Sequence, residues 1–198
     1  MGETKRHTVI RAILFLAAAG VHAQETRVSH AVCMEIRVRV DSALVLRARA
    51  LAGAVLLQAG VRIEWLSSKE CRIPGENVVR LVLDSAAPPR FGPETMAYAL
   101  PYDVSETAIH IFYPRVVEDH WDAPAQVLGH VIAHELGHVL EGVARHSNEG
   151  LMKAPWGPRD YALMWRQRLS LAAEDVELIH LGMKRFSTPI TTARAGRE

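Results

Sequence analysis

Two histidines and a glutamate in the C-terminal half have the spacing best suited to catalysis. His134-Glu135-Leu136-Gly137-His138 is an H-E-x-x-H sequence. On a helix, residues i and i+4 share one face, so both imidazoles can reach one ion at the distance of about 2.0–2.1 Å that zinc prefers. Glu135 follows the first histidine, where its carboxylate can take a proton from a zinc-held water without acting as a ligand. The pattern predicts one catalytic zinc ion with Glu135 as general base.

A catalytic zinc ion needs a third protein ligand if water is to hold the fourth position. We expect His146 to be this ligand. Gly142 lies between His138 and His146, and glycine readily takes the left-handed conformation that ends a helix and turns the chain back. Such a turn would bring His146 onto the ion.

Several other residues are alternatives for the third ligand. Glu141 would require the helix to continue straight, whereas Glu174 or Glu177 on a later helix would make a glutamate-ligated zinc enzyme. His130 precedes His134 by four residues, but it lies about 12 Å from His138 along a helix axis, so the three histidines of this series cannot share one ion. We therefore interpret His130 as an ordinary helix residue or as a group behind the ligands.

The segment HELGHVLEGVARHS, followed by Gly-Leu-Met, resembles the metzincin zinc metallopeptidases, and among them the matrixin type. That family has H-E-x-x-H-x-x-G-x-x-H, a serine after the third histidine and a methionine turn shortly afterwards. The resemblance implies a metzincin fold and peptide hydrolysis, with Glu135 as the base, Met152 as the turn residue beneath the metal, and three ligands: His134, His138 and His146.

The chain departs from the family pattern in one loop. Gly142 is four residues after His138 instead of three, and His146 is eight residues after it instead of six. The loop between the second and third ligands is thus two residues longer, which indicates a divergent branch of the family.

Three further residues are weaker candidates. His110 lies on a predicted strand, and the resemblance would allow it near the cleft, because metzincins bind peptide along an edge strand; a half-exposed strand histidine is the simpler interpretation. Trp156 and Tyr161 follow the methionine turn and could line the pocket. Some relatives use a tyrosine there, but a packed aromatic side chain explains Tyr161 as well.

The elements that must position these residues follow from periodicity. Alternating apolar residues predict strands, and 3.6-residue spacing predicts helices. The prediction is a strand over 31–40, a helix from about 42 to 59 that ends at Gly60, strands over 61–66, 78–83 and 108–113, a helix over 126–140, an irregular segment, and a last helix over 172–184. The fold class is α+β (α/β-like): one domain, residues 24–198, with a twisted mixed sheet, an N-terminal helix, an active-site helix and a C-terminal helix.

The first 23 residues are typical of a secretory signal peptide. Lys5, Arg6 and Arg11 precede an apolar run, and Val21-His22-Ala23 has small residues where a signal peptidase cleaves. Ten apolar residues are too few to cross a bilayer, which takes about 20. No other apolar run approaches that length, so we expect a secreted or periplasmic protein without stable membrane insertion after cleavage at Ala23.

Export makes a disulfide between Cys33 and Cys71 plausible, with two free buried thiols as the alternative. The balance of 23 Lys and Arg against 22 Asp and Glu argues against nucleic acid as a partner. We expect a secreted zinc-dependent endopeptidase that acts on protein or peptide substrates. The alternatives are an exported zinc-binding module without catalysis and a non-peptidase zinc hydrolase such as a ribonuclease. The oligomeric state is left open.

Overall fold

The computed structural model describes residues 28–72, 78–100, 108–119 and 122–186. The predicted signal peptide, residues 1–23, lies outside these ranges. The strands are β1 Val28–Ile36, β2 Val61–Trp65, β3 Val78–Asp84, β4 Ala97–Ala99 and β5 Ala108–Phe112. The helices are α1 Ser42–Leu56, α2 Tyr113–Glu118, α3 Pro124–Glu141, α4 Pro158–Arg166 and α5 Ala173–Phe186, with short 3-10 turns at Leu57–Ala59 and Glu70–Arg72.

The five strands form one mixed sheet in the order β2-β1-β3-β5-β4. β1 pairs in parallel with β2 and β3, and β3 pairs in parallel with β5. β4 pairs antiparallel with β5 and ends the sheet as the described residues form it. The predicted α+β class, with a mixed sheet and a single domain, is confirmed.

The ends of α1 follow from local chemistry. The Asp41 carboxylate accepts hydrogen bonds from the backbone N–H groups of Ala43 and Leu44 at 2.8 and 3.2 Å, which satisfies two donors that a helix start leaves without partners. Gly60 follows the 3-10 turn with φ of 73°, as predicted.

By length and composition alone, residues 42–59 could also cross a membrane, which corrects the expectation that no second run has that length. In the fold, one face of this helix is packed in the core, whereas Leu46 and Leu57 are exposed.

α3 crosses α1 on one face of the sheet. Val32, Leu81 and Ile109 point from the sheet into the core that both helices share. At the crossing, a Cβ on Gly129 would lie 2.9 Å from the Ala48 carbonyl oxygen, so the absence of a side chain there permits the close approach. Every residue of α3 from Val127 to Glu141 is buried, because the sheet, α1 and α5 surround it.

The other face of the sheet carries a different set of side chains. Cys33 of β1 forms a disulfide with Cys71, with the two Cα atoms 5.6 Å apart. His110 of β5 is in register with Val82, and its ring stacks on Tyr98 and contacts the Asp84 carboxylate at 2.6 Å. The prediction of a disulfide is therefore confirmed, and the alternative of two free thiols is not.

Several boundaries differ from the prediction. β1 ends at Ile36 instead of 40, because its last partner on β3 is Leu83 and no neighbouring strand continues beside Val38 and Val40. These two valines pack against the core instead. β4, α2 and α4 were not predicted, since each is short. α4 did have a local signal, because Asp160 accepts a hydrogen bond from the backbone N–H of Gly157 at 2.7 Å and thereby caps the helix start.

Candidate metal centre

Helix α3 ends next to Gly142, as the sequence predicts. Gly142 has φ of 66°, in the left-handed region, and its N–H donates to the His138 carbonyl oxygen at 3.0 Å. This geometry closes the helix after Glu141 and reverses the chain. The reversal returns His146 to the face of α3 that carries His134 and His138.

The three histidines form a compact group. One ring nitrogen from each of His134, His138 and His146 can be chosen such that all three lie within 4.8 Å of one another. The Nε2 atoms of His134 and His138 are 3.1 Å apart, close to the separation of about 3.3 Å that two nitrogens have on one tetrahedral zinc ion. His134 and His138 are buried, whereas His146 is exposed at the rim. The donor set fits one zinc ion, as predicted.

Backbone carbonyls orient the two helical histidines. The Nδ1–H of His134 donates to the Leu151 oxygen at 2.9 Å, and that of His138 donates to the Val143 oxygen at 3.3 Å. These bonds place the proton on Nδ1 and leave the Nε2 lone pair of each ring available to a metal.

The surroundings also keep these imidazoles neutral. Burial, and then the neighbouring His138, lowers the pKa of His134 to about 3. Burial, and then His146, lowers the pKa of His138 to about 4. Burial lowers the pKa of His146 as well. Because only a neutral imidazole can donate a lone pair, the site is prepared for a cation at neutral pH.

Glu135 is buried on α3 beside the first of these histidines. Burial raises the pKa of this carboxyl group to about 8. A nearby dication would favour the ionised form. The Glu135 carboxyl group can therefore be either ionised or protonated near neutral pH, and a general base needs both forms.

The turn that carries Met152 lies directly against α3. Met152 is fully buried, and a Cβ on Gly137 would lie 2.5 Å from its sulfur. The turn is held by hydrogen bonds from Ser147 N–H to the Met152 oxygen at 2.9 Å and from Leu151 N–H to the Ser170 oxygen at 2.8 Å. Met152 thus packs beneath the helix segment that joins the two helical histidines.

The alternatives for the third ligand do not join the group. Among the described residues, the histidine cluster includes neither Glu141 nor Glu174 nor Glu177. His130 is engaged at both ring nitrogens: Nε2 accepts from the Leu169 N–H at 3.0 Å, and Nδ1 therefore carries the proton and donates to the Gln126 oxygen at 2.7 Å. His130 is a packed helix residue, in agreement with the prediction.

The weaker candidates lie at different distances from the site. His110 is on the face of the sheet opposite α3 and is a strand histidine with a side chain 20% exposed, so it is more buried than the simpler interpretation expects. Trp156 contacts the His134 ring edge-on, with 5.4 Å between centroids, whereas Tyr161 contacts Trp156 at 6.4 Å. Tyr161 also lines a cavity of about 560 Å³ between α4 and the start of α3, and none of the three clustered histidines lines that cavity.

Sequence reasoning missed two supports of the site. The indole N–H of Trp156 donates to the Leu151 oxygen at 3.2 Å, the same oxygen that accepts from His134. Asp175 accepts from Arg145 at 2.8 Å and from the Ser147 hydroxyl. The two Asp175 contacts join residues 30 and 28 positions apart, and no local pattern marks them.

The fold of the described residues is similar to that of a metzincin domain. Among solved structures, the chain is similar to archaemetzincin from Methanopyrus kandleri, with a TM-score of 0.51 and 16% sequence identity over 79% of this chain and 97% of that one. At this identity the similarity is one of fold. No protein-family model matches the chain, and no curated protein matches it either.

Proposed function

We propose that this protein is a zinc-dependent endopeptidase whose site has the matrixin-type arrangement, lengthened by two residues between the second and third ligands. The observation that carries the proposal is the convergence of His134, His138 and His146 at the end of one helix, next to Glu135. The fold similarity to archaemetzincin supports it.

In this proposal each residue has one role. His134, His138 and His146 would hold the ion, which would supply Lewis-acid chemistry and lower the pKa of water towards about 7. Glu135 takes the proton from the water that attacks the peptide carbonyl and then gives it to the leaving amine nitrogen. The Leu151 and Val143 carbonyls keep the two helical imidazoles in the ligating orientation.

The sheet supplies a place for the substrate. β4 is at the end of the sheet next to β5 and packs against α3. An extended peptide can add to such a strand through backbone hydrogen bonds. We therefore infer that protein or peptide substrates bind along β4, with the scissile bond carried towards the histidines.

We infer that the protein is exported, with residues 1–23 acting as a cleaved signal peptide. The disulfide between Cys33 and Cys71 supports this, because disulfides persist in oxidising compartments.

The decisive experiment compares zinc content and cleavage of an unfolded protein substrate by the wild type and Glu135→Gln. Glu135 is not a ligand in this proposal, so the variant should keep its zinc while cleavage falls by about 10²–10⁴-fold. Glu177→Gln, which alters an exposed glutamate of α5, is the matched control and should retain both properties.

Three outcomes would contradict the proposal. Unchanged cleavage by Glu135→Gln would show that Glu135 is not the base. A wild-type protein that holds zinc but cleaves nothing would favour a zinc-binding module. A purified wild type that neither contains nor takes up zinc would show that the three histidines do not form a zinc site.

A further inference from the structure

A group of charged side chains, two of them fully buried, lies where α3 ends. The Arg145 guanidinium contacts Asp175 Oδ1 at 2.8 Å and lies 4.0 Å from Glu141 Oε2 and 3.5 Å from Glu174 Oε2. The side chains of Glu141 and Asp175 are fully buried, and that of Arg145 is 28% exposed. One cation thus faces three carboxylates, two of which solvent does not reach.

This group holds the chain on both sides of His146. Arg145 precedes His146, and its guanidinium binds Asp175 of α5. Ser147 follows His146, and its hydroxyl donates to the same Asp175 oxygen. Asp175 is itself fixed, because its other oxygen accepts from the Ala172 N–H at 3.0 Å. A single carboxylate therefore restrains the two neighbours of the exposed histidine.

Helix α5, which carries Asp175, packs tightly against α3. A Cβ on Gly182 of α5 would lie 1.8 Å from the Leu140 carbonyl oxygen, so α5 approaches the backbone of α3 as closely as a glycine permits. Arg145 connects to both helices, to Asp175 at the start of α5 and to Glu141 at the end of α3. The guanidinium suits this position because its planar set of donors can face more than one carboxylate.

The restraint has a clear use in this chain. The segment between His138 and His146 is two residues longer than the family pattern that it resembles, and one of the two lies after Gly142. A longer loop loses more conformational entropy when its end is ordered. His146 is exposed, so core packing does not orient it. A buried ion pair adds little net stability by itself but can select one arrangement.

We propose that Arg145 is a positioning residue for His146, acting through Asp175 to preorganise the third ligand of the metal centre. This inference rests on the proposed function, because it takes His146 as a zinc ligand. It differs from a simple structural link between α3 and α5, which would stabilise the fold equally whether or not His146 is present.

The test measures zinc affinity, by competition with a chromophoric chelator, for the wild type, Arg145→Met, His146→Ala and the double variant. Arg145→Met should weaken zinc binding by about tenfold, as loss of groups that orient a ligand commonly does. In the His146→Ala background the same change should have no further effect. Arg159→Met, which alters an exposed arginine on α4, is the control and should bind zinc as the wild type does.

Substitution by cobalt(II) provides a readout that does not depend on activity. The visible absorption of the cobalt form of Arg145→Met should shift towards that of His146→Ala, since both variants lose an ordered third ligand. If Arg145→Met does not fold, Arg145→Lys replaces it in the same four-way comparison, because it keeps the buried charge but offers a single nitrogen.

The outcomes separate the two proposals. Unchanged zinc affinity in Arg145→Met, or an equal loss with and without His146, overturns the positioning role while the metal centre stands. Unchanged affinity in His146→Ala shows that His146 is not a ligand, and both the assigned metal centre and this inference then fail.

Discussion

Gly137 and Met152 meet beneath the candidate metal centre, where a Cβ on residue 137 would lie 2.5 Å from the methionine sulfur. Gly137 belongs to the same helical turn as His134 and His138. Met152 is fully buried, so its side chain has little room to move aside. The missing side chain at 137 therefore sets how closely the turn approaches the helix that carries these two histidines.

Gly137→Ala should lower the free energy of unfolding by about 1–3 kcal/mol, the usual cost of overpacking a core. Gly53→Ala is the matched control, because a Cβ there meets no atom within 4 Å. Since Gly53 is inside α1, the control should gain about 0.5–1 kcal/mol. Urea unfolding of both variants checks the prediction, and equal stability of Gly137→Ala and the wild type would show that Met152 repacks at no cost.

Glu141 should make stability depend on pH. Burial, and then Asp175, raises the pKa of this carboxyl group from 4.5 to about 7. The folded state therefore binds the proton more tightly than the unfolded state, and the resulting stabilisation is complete below about pH 4.5 and is lost as the pH rises through 7. The wild type should lose stability relative to Glu141→Gln over this window, by at most about 1.4 kcal/mol per pH unit.

Unfolding curves of the two proteins between pH 4 and 9 measure this difference, and Glu177→Gln on the exposed side of α5 should show no such trend. A constant difference between wild type and Glu141→Gln across the range would mean that the carboxyl group titrates normally in the fold.

The disulfide should contribute substantially to stability. It joins residues 38 positions apart, and the loop-closure model gives about 4 kcal/mol for a loop of this length. Replacing both Cys33 and Cys71 by serine should lower the free energy of unfolding by an amount of this order. A reducing agent should destabilise the wild type similarly and leave the double variant unchanged; insensitivity of the wild type would contradict the bond.

Export should remove the first 23 residues. The positive residues, the short apolar run and the small residues before Gln24 motivate this prediction. N-terminal sequencing of the exported protein should begin at Gln24. A mature protein that begins at Met1 would count against a cleaved signal peptide.

Local patterns in the sequence determined most of the elements and the first part of the site. His134 and His138 share a face because a helix places i and i+4 together. Gly142 ends that helix, since this effect depends only on nearby backbone groups. Helix α4 was not predicted, because its nine residues are too few for a helical periodicity to be recognised.

Tertiary structure alone decided what brings distant segments together. The sequence named His146 among several possible third ligands, but the fold places it within reach of both helical histidines and leaves Glu141, Glu174 and Glu177 outside the group. Strand register placed His110 on the far face of the sheet, and the packing of α5 brought Asp175 to Arg145 and Ser147. These relationships depend on how separate elements pack against one another. Packing depends on the shapes of many side chains at once, and no short sequence pattern encodes those shapes.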